Sequence, residues 1–270
     1  MKILIGADPE AFLRQNGTYV SAHGMIPGTK ARPHKVERGA VQVDGLAVEF
    51  NIDPAEDEEE FITNIDVVMA QLRGMVPDFE VAIDPYAEFT QDYLATQPEE
   101  AVDLGCDPDF NAWTKDQNPA PDKTALFRGA SGHVHCGWVL PGEDPGPFHL
   151  ETCYDVIRQL DFTLGLPSLA FDPDLRRRQA YGRAGAFRPK PYGVEYRVLS
   201  NKWLSSDNLK RWVFRNTQAG LARLENGDAL FEKYGDIQDI INNGDVAKAL
   251  YICEREGIEV PQTEVQYVAG

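Results

Sequence analysis

AVQVDGLAVEFNI (residues 40–52) is the stretch on which the fold turns. Apolar and polar residues alternate through it with the two-residue period of a strand, and Gly45 falls where a bulge or turn would sit. Val48, Phe50 and Ile52 would face one way, Glu49 and Asn51 the other. Upstream, KILIG (2–6) reads as a short buried strand. Downstream, Asp53-Pro54 offers a helix start, and Phe61, Ile65, Val68, Met69, Leu72 and Val76 recur three and four apart. FEVAID (79–84) reads as the next strand. Strand, strand, helix, strand predicts an antiparallel-rich protein of α and β structure.

Farther along, GHVHCGWVL (132–140) and GVEYRVLS (193–200) read as strands. FHLETCYDVIRQLDFTLGL (148–166) reads as a helix stopped by Gly165 and Pro167. SSDNLKRWVFRNTQAGLARL (205–224) reads as a helix capped by Ser205 or Ser206, with two short helices after it, near 235–242 and 245–255. Residues 97–122 are rich in Pro, Asp and Asn. A long ordered loop is expected there, since Phe110 and Trp113 lie inside it. The acidic run DPAEDEEE (53–60) is a helix start favoured by the macrodipole.

The 270 residues are 43% hydrophobic and carry a formal net charge of −17, which excludes wholesale disorder and argues against coating nucleic acid or an anionic membrane. No stretch approaches the roughly 18 apolar residues of a membrane span. MKILIGADPE does not form a signal peptide, and the four cysteines are scattered with no C-x-x-C. A reducing cytoplasm is therefore the expected location.

Four constellations carry chemistry. GADPEAF (6–12) places Asp8 and Glu10 two apart, so both carboxylates line one face of an extended chain. VDGLAVEFN (43–51) presents Glu49, which a half-exposed strand explains equally well. SGHVHCGW (131–138) puts His133 and His135 on one strand face, where two imidazoles suit a metal, or a metal and a substrate. Gly132 and Gly137 beside them suggest close approach of a ligand or of backbone. The fourth, residues 175–202, holds Arg176, Arg177, Arg178, Arg183, Arg188, Lys190, Arg197 and Lys202 against one acid, Glu195. The segment is +7 and the rest of the chain −24, so a phosphate-binding patch is expected, with guanidinium forks as its natural donors. Walker, G-x-G-x-x-G, H-E-x-x-H and G-x-S-x-G signatures are absent from the sequence.

Taken in order, GADPEAF, VDGLAVEFN, LGCDPDFNAW (104–113), GHVHCGW and YGRAGAFRPKPYGVEYRVLSNKW (181–203) resemble the phage-type carboxylate–amine ligases, or amidoligases, of the glutamine synthetase–glutamate-cysteine ligase superfamily. The similarity spans about residues 3–205. The resemblance implies an α+β fold, a curved, mainly antiparallel sheet with flanking helices like a glutamine synthetase catalytic domain. It implies one catalytic domain over 1–270, with 206–270 as a C-terminal helical part. It implies ATP and Mg²⁺ or Mn²⁺ as cofactors. Asp8, Glu10, Glu49, His133 and Glu195 would be metal ligands. His135, Arg183, Arg188 and Arg197 would contact nucleotide, with Arg188 and Arg197 also acting in catalysis. The partners implied are small-molecule or peptide carboxylates and amines, in the cytoplasm of a bacterial host cell if phage-encoded. The GCDPDF loop (105–110) is a plausible substrate-recognition element, and a structural loop is as plausible. A guanidino-type phosphotransferase, a metal-dependent hydrolase and a non-catalytic metal or nucleotide binder are the competing readings.

Overall fold

The computed structural model describes residues 3–102, 109–120 and 125–262. In chain order its strands are β1 (Leu4–Gln15), β2 (Thr18–Val20), β3 (His34–Val36), β4 (Gly39–Asp44), β5 (Ala47–Ile52), β6 (Glu80–Ala82), β7 (Tyr86–Glu88), β8 (Phe110–Asn111), β9 (Phe127–Gly129), β10 (Gly132–Gly137), β11 (Ala186–Lys190) and β12 (Gly193–Tyr196). The helices are α1 (Glu58–Met75), α2 (Gln91–Ala95), α3 (Glu99–Val102), α4 (His149–Leu160), α5 (Leu166–Ser168), α6 (Leu175–Ala180), α7 (Asp207–Glu225), α8 (Leu230–Tyr234), α9 (Gln238–Asn242) and α10 (Val246–Glu256).

The main sheet runs β3-β4-β5-β1-β10-β12-β11-β8, with β2 and β6 also paired to β1; β7 and β9 form a separate ribbon. The pairs are antiparallel. The expected α+β fold, a large antiparallel sheet with flanking helices, is the fold observed. Residues 40–52 form its most regular hairpin, Asp44 pairing with Ala47 across Gly45 and Leu46. Gly45 sits at φ +59°, the left-handed region that the first position of a tight hairpin turn demands.

Strand alternation divides the sheet into two faces. Ile5, Ala7, Val48, Phe50, Val134, Cys136, Val194 and Tyr196 are buried in one continuous core. Against them pack α1, through Phe61, Ile65, Val68 and Leu72, and α4, through Ile157 and Leu160; α7 packs in turn on α1 and α4, with Trp212 and Val213 in the same core. Each such buried side chain contributes roughly 1.5–3 kcal/mol, enough together to fix which face is covered. The alternate residues are thereby turned to the other face.

Several boundaries differ from expectation. The first strand does not stop at Gly6 but runs to Gln15, because Asp8-Pro9-Glu10 is extended and paired on both sides. Helix α1 is capped by Asp57, whose side chain accepts from the Glu60 amide, and not by Asp53. Ala55 instead bridges Ile5, which holds the chain extended through Pro54. The acidic run does supply the first turn, as Glu58, Glu59 and Glu60. Helix α4 is not stopped at Gly165. It passes through a π turn, Asp161–Gly165, into α5, with Pro167 tolerated near the start of that last piece. Three helices, not two, follow α7, whose cap is Ser206. Among the described residues no helix is long and apolar enough to cross a membrane.

Candidate active site

Register on the face turned away from α1 and α4 lays the polar residues out in rows. Glu10 on β1 pairs with Glu49 on β5, which pairs with Gln42 on β4. One step along β1, Asp8 pairs with His133 on β10. One step along β10, His135 pairs with Glu195 on β12, and Glu195 with Arg188 on β11. Four neighbouring strands thus carry a carboxylate, an imidazole pair, a carboxylate and a guanidinium to one place. They line a cavity of about 740 Å³ that also takes in Lys190, Tyr192 and Arg197.

Asp8, His135 and Glu195 each offer a ligand atom, and these atoms lie within 4.8 Å of one another. Asp8 Oδ1 stands 2.9 Å from His135 Nε2 and 3.2 Å from His133 Nδ1. Neither Asp8 Oδ1 nor His135 Nε2 makes an aligned hydrogen bond, and buried His133 Nε2 has no hydrogen-bond partner. His135 Nδ1 meets the Tyr192 hydroxyl at 2.5 Å, which fixes the ring and aims Nε2 at Asp8. Such a set, two carboxylates and one outward imidazole nitrogen, suits Mg²⁺ or Mn²⁺.

Electrostatics follow from crowding. Burial pushes the Asp8 carboxyl up, but the two imidazoles outweigh it and hold the group well below the usual carboxylate range. Burial and then Asp44 raise Glu10 to about 7. Burial and then Asp8 hold Glu49 well above the ordinary value, and the same causes raise Glu195. Burial and Arg197 press His133 well below its usual value, whereas Asp8 overcomes burial at His135 and raises it. A cluster of carboxylates held this way is short of positive charge, which a divalent cation would supply.

The structure therefore sorts the nine sequence candidates. Asp8, His135 and Glu195 form the compact group; Glu10 and Glu49 stand beside it on the β5 side, with the Gln42 amide donating to Glu49 at 2.8 Å. His133 turns its Nδ1 toward Asp8, Glu195 and Arg197 and lies outside that group. Arg197, just past β12, bonds Glu195, and its Nε lies 2.7 Å from Asp109 Oδ1. Arg188 Nη2 lies 3.5 Å from Asp109 Oδ1. Arg183 is not among the residues lining this cavity and borders a second one.

Two charged residues here have no individual role in the sequence reading, Lys190 standing there only as part of the basic segment and Asp109 only within the GCDPDF motif. Asp109 braces both Arg197 and Arg188, and Lys190 Nζ reaches Glu195 Oε2 at 2.6 Å. Asp109 belongs to the GCDPDF motif, so that motif was the available signal; its residues 105–108 lie outside the described residues. Gly132 answers to packing and not to a ligand. A Cβ there would stand 2.2 Å from Trp203 Nε1 and 2.4 Å from the Ser200 carbonyl. The +7 segment is likewise not one patch. Arg177 and Arg178 are 2% and 1% exposed and bond interior groups, while Arg188, Lys190 and Arg197 reach the cavity.

Comparison with known families matches residues 131–259 to the phage phiEco32-like COOH.NH2 ligase-type 2 family. The match covers a little under half of the chain. It takes in β10, β11, β12 and the C-terminal helices, for which the sequence offered no motif, and begins after the motifs of β1 and β5. A search of curated proteins finds no match. The family finding bears out the resemblance and the coarse reading it carries, a carboxylate–amine ligase.

Proposed function

We propose, from the premise that residues 131–259 carry the sequence of a COOH.NH2 ligase, that the protein is an ATP-dependent amide-forming ligase working through an acyl phosphate on the face of β1, β10 and β12. The observation that carries this reading is the compact group of half-buried Asp8 and His135 and buried Glu195 beside Lys190, Arg188 and Arg197. Acids fit for a divalent cation and cations fit for phosphate share one cavity, which is the division of charge a metal-bound nucleotide needs.

A carboxylate resists attack because its carbonyl is shielded by charge and oxide is a poor leaving group. Phosphorylation by the ATP γ-phosphoryl group converts that oxygen into phosphate, releasing ADP. The amine nitrogen then bonds to the acyl carbon, the carbon–oxygen bond to phosphate breaks, and a proton leaves the nitrogen. Asp8, His135 and Glu195, with Glu10 and Glu49 next in reach, would hold a divalent cation, which would supply charge neutralisation at the phosphates. Arg197 and Arg188 are held in place by Asp109 and offer the remaining guanidinium hydrogens to oxygens that gain charge in the transfer. Tyr192 keeps the His135 ring oriented.

The test is mass spectrometry of reactions containing ATP, Mg²⁺ and pooled amino acids, polyamines and peptides. The expected result is ADP and phosphate together with a product whose mass is acid plus amine less water. A phosphorylated nitrogen compound with ADP and no free phosphate would point to a phosphotransferase, and amide turnover without ATP to a hydrolase.

A further inference from the structure

The proposed reaction has two organic substrates, and the structure has a second cavity of about 480 Å³ against the first. The two share Glu10, Asp44 and Tyr181. Tyr181 lines both, with its ring centroid 6.3 Å from that of His133 and 5.2 and 5.8 Å from the Arg197 and Arg177 guanidinium carbons. Charge is unevenly spread around the second cavity. Its acids, among the described residues, are Glu10 and Asp44, both on the shared wall. Its other charged side chains are Arg128, Arg176, Arg177 and Arg183.

Of these four arginines, Arg176 alone forms a salt bridge among the described residues. Arg128 and Arg177 are 7% and 2% exposed, and neither meets a carboxylate among the described residues. Arg128 donates to the carbonyls of Ala125, Phe127 and Val102. Arg177 donates to the Val198 carbonyl and Ser131 Oγ, and its buried Nε has no hydrogen-bond partner. Arg183 is exposed and donates to the Gln179 carbonyl. Arg176 pairs with Asp174. Arg177 has Asp172 and Glu10 acting on it only across space, and Arg128 has no carboxylate in contact among the described residues; buried cations held this way are costly, and beside a cavity they point to an anionic occupant. On the shared wall the sign reverses. Lys30 reaches Asp44 at 3.2 Å, but Glu10 has no cation within salt-bridge distance among the described residues and accepts from the Ser131 amide.

We propose that this second cavity binds the amine substrate, and that this substrate is an amino acid or short peptide taken as a zwitterion. Its amino end lies at Glu10 and Asp44, facing the first cavity; its carboxylate lies toward the arginines; its apolar part rests on Phe12, Leu46 and Phe127. A polyamine would set a second positive charge among arginines, and a dicarboxylate would set a second negative charge against Glu10. The size suits a ligand of one to three residues. The assignment rests on the ligase reading for the word "substrate", but the binding pattern stands or falls separately.

Calorimetric titration of the whole protein with L-alanyl-L-alanine, its N-acetyl derivative and its C-terminal amide tests it, with Mg²⁺ and a non-hydrolysable ATP analogue titrated in parallel. The free dipeptide should bind at least ten-fold more tightly than either blocked form. Ala180→Phe, which fills the cavity, should abolish dipeptide binding, and Arg183→Gln on the exposed rim should weaken it several-fold, both with nucleotide binding and melting temperature unchanged. Equal affinity for the three peptides would overturn the proposal, as would undiminished binding in both variants or failure of the dipeptide to bind a protein that binds the nucleotide. Charge-selective dipeptide binding without nucleotide binding would support the cavity assignment and defeat the ligase reading instead.

Discussion

Arg177 and Arg178 on α6 and Arg188 and Arg197 around β11 and β12 come from one basic stretch of sequence, yet the fold uses the two pairs in opposite ways. The α6 pair is interior: Arg178 donates to Ser168 Oγ and lies 3.9 Å from Asp172, which also accepts from Ser200. Arg177 ties α6 to the chain after β12 through the Val198 carbonyl. The second pair lies on a cavity wall and is braced by Asp109. Arg178 thus does structural work, Arg177 ties the fold together while bordering the second cavity, and Arg188 and Arg197 stand ready for anionic chemistry in the first. Counting charge along the chain cannot separate them; which face of which element they leave does.

The sharpest way to break this contrast is on the interior side. Arg178→Ala leaves Asp172 without its buried cation and should cost about 3–5 kcal/mol in denaturant unfolding, well beyond any effect of Arg188→Ala on stability. Asp161, on the π turn, belongs to the same interior. Trp113 Nε1 and the Tyr196 hydroxyl donate to it at 2.7 and 2.9 Å, and burial raises it to about 7 against these bonds. Between the unfolded value near 3.8 and about 7, the folded protein holds a proton that the unfolded chain has lost, so stability falls as pH rises through that window. Asp161→Asn should remove a decline on the order of 3 kcal/mol, visible as a flatter melting-temperature profile from pH 4 to 7. Equal slopes in the two proteins would show that Asp161 does not hold that proton.

On the cavity side, Arg197→Ala should lose turnover on the order of 10²-fold, about 2.7 kcal/mol of transition-state stabilisation, and some stability as well, since it leaves buried Glu195 and Asp109 without this cation. A fully active variant would place Arg197 with the structural pair. The smallest effect is expected at Arg176, which is half exposed and pairs with Asp174 and Glu88. Arg176→Ala should change stability by no more than about 0.5 kcal/mol.

Much of this site is legible as a pattern of twos. Asp8 and Glu10, His133 and His135, and Glu195 and Arg197 are each separated by one residue, and extended strands turn such pairs to one face. Their register is not legible, because pairing is fixed by apolar partners such as Val134 and Val194 that read alike in any alignment of strands. Register is what pairs His135 directly with Glu195, which His133 also approaches at 3.4 Å, and what keeps Glu49 one step away. Asp109 was hidden for another reason: its partners lie 79 and 88 positions away, measured from Arg188 and Arg197 in the chain. The helix ends were misread where a nearby contact overrode local chemistry, as the Ile5–Ala55 bridge did at Asp53.

Phosphorylation of a carboxylate on this face before an amine takes it, as proposed, would leave an isotopic trace. Carboxylic acids pre-exchanged in ¹⁸O water, incubated with the protein, ATP, Mg²⁺ and pooled amines, report on this directly. The account predicts inorganic phosphate carrying one ¹⁸O in step with amide formation. ATP consumption with only unlabelled phosphate, or an amide formed with no ATP consumed, would contradict it.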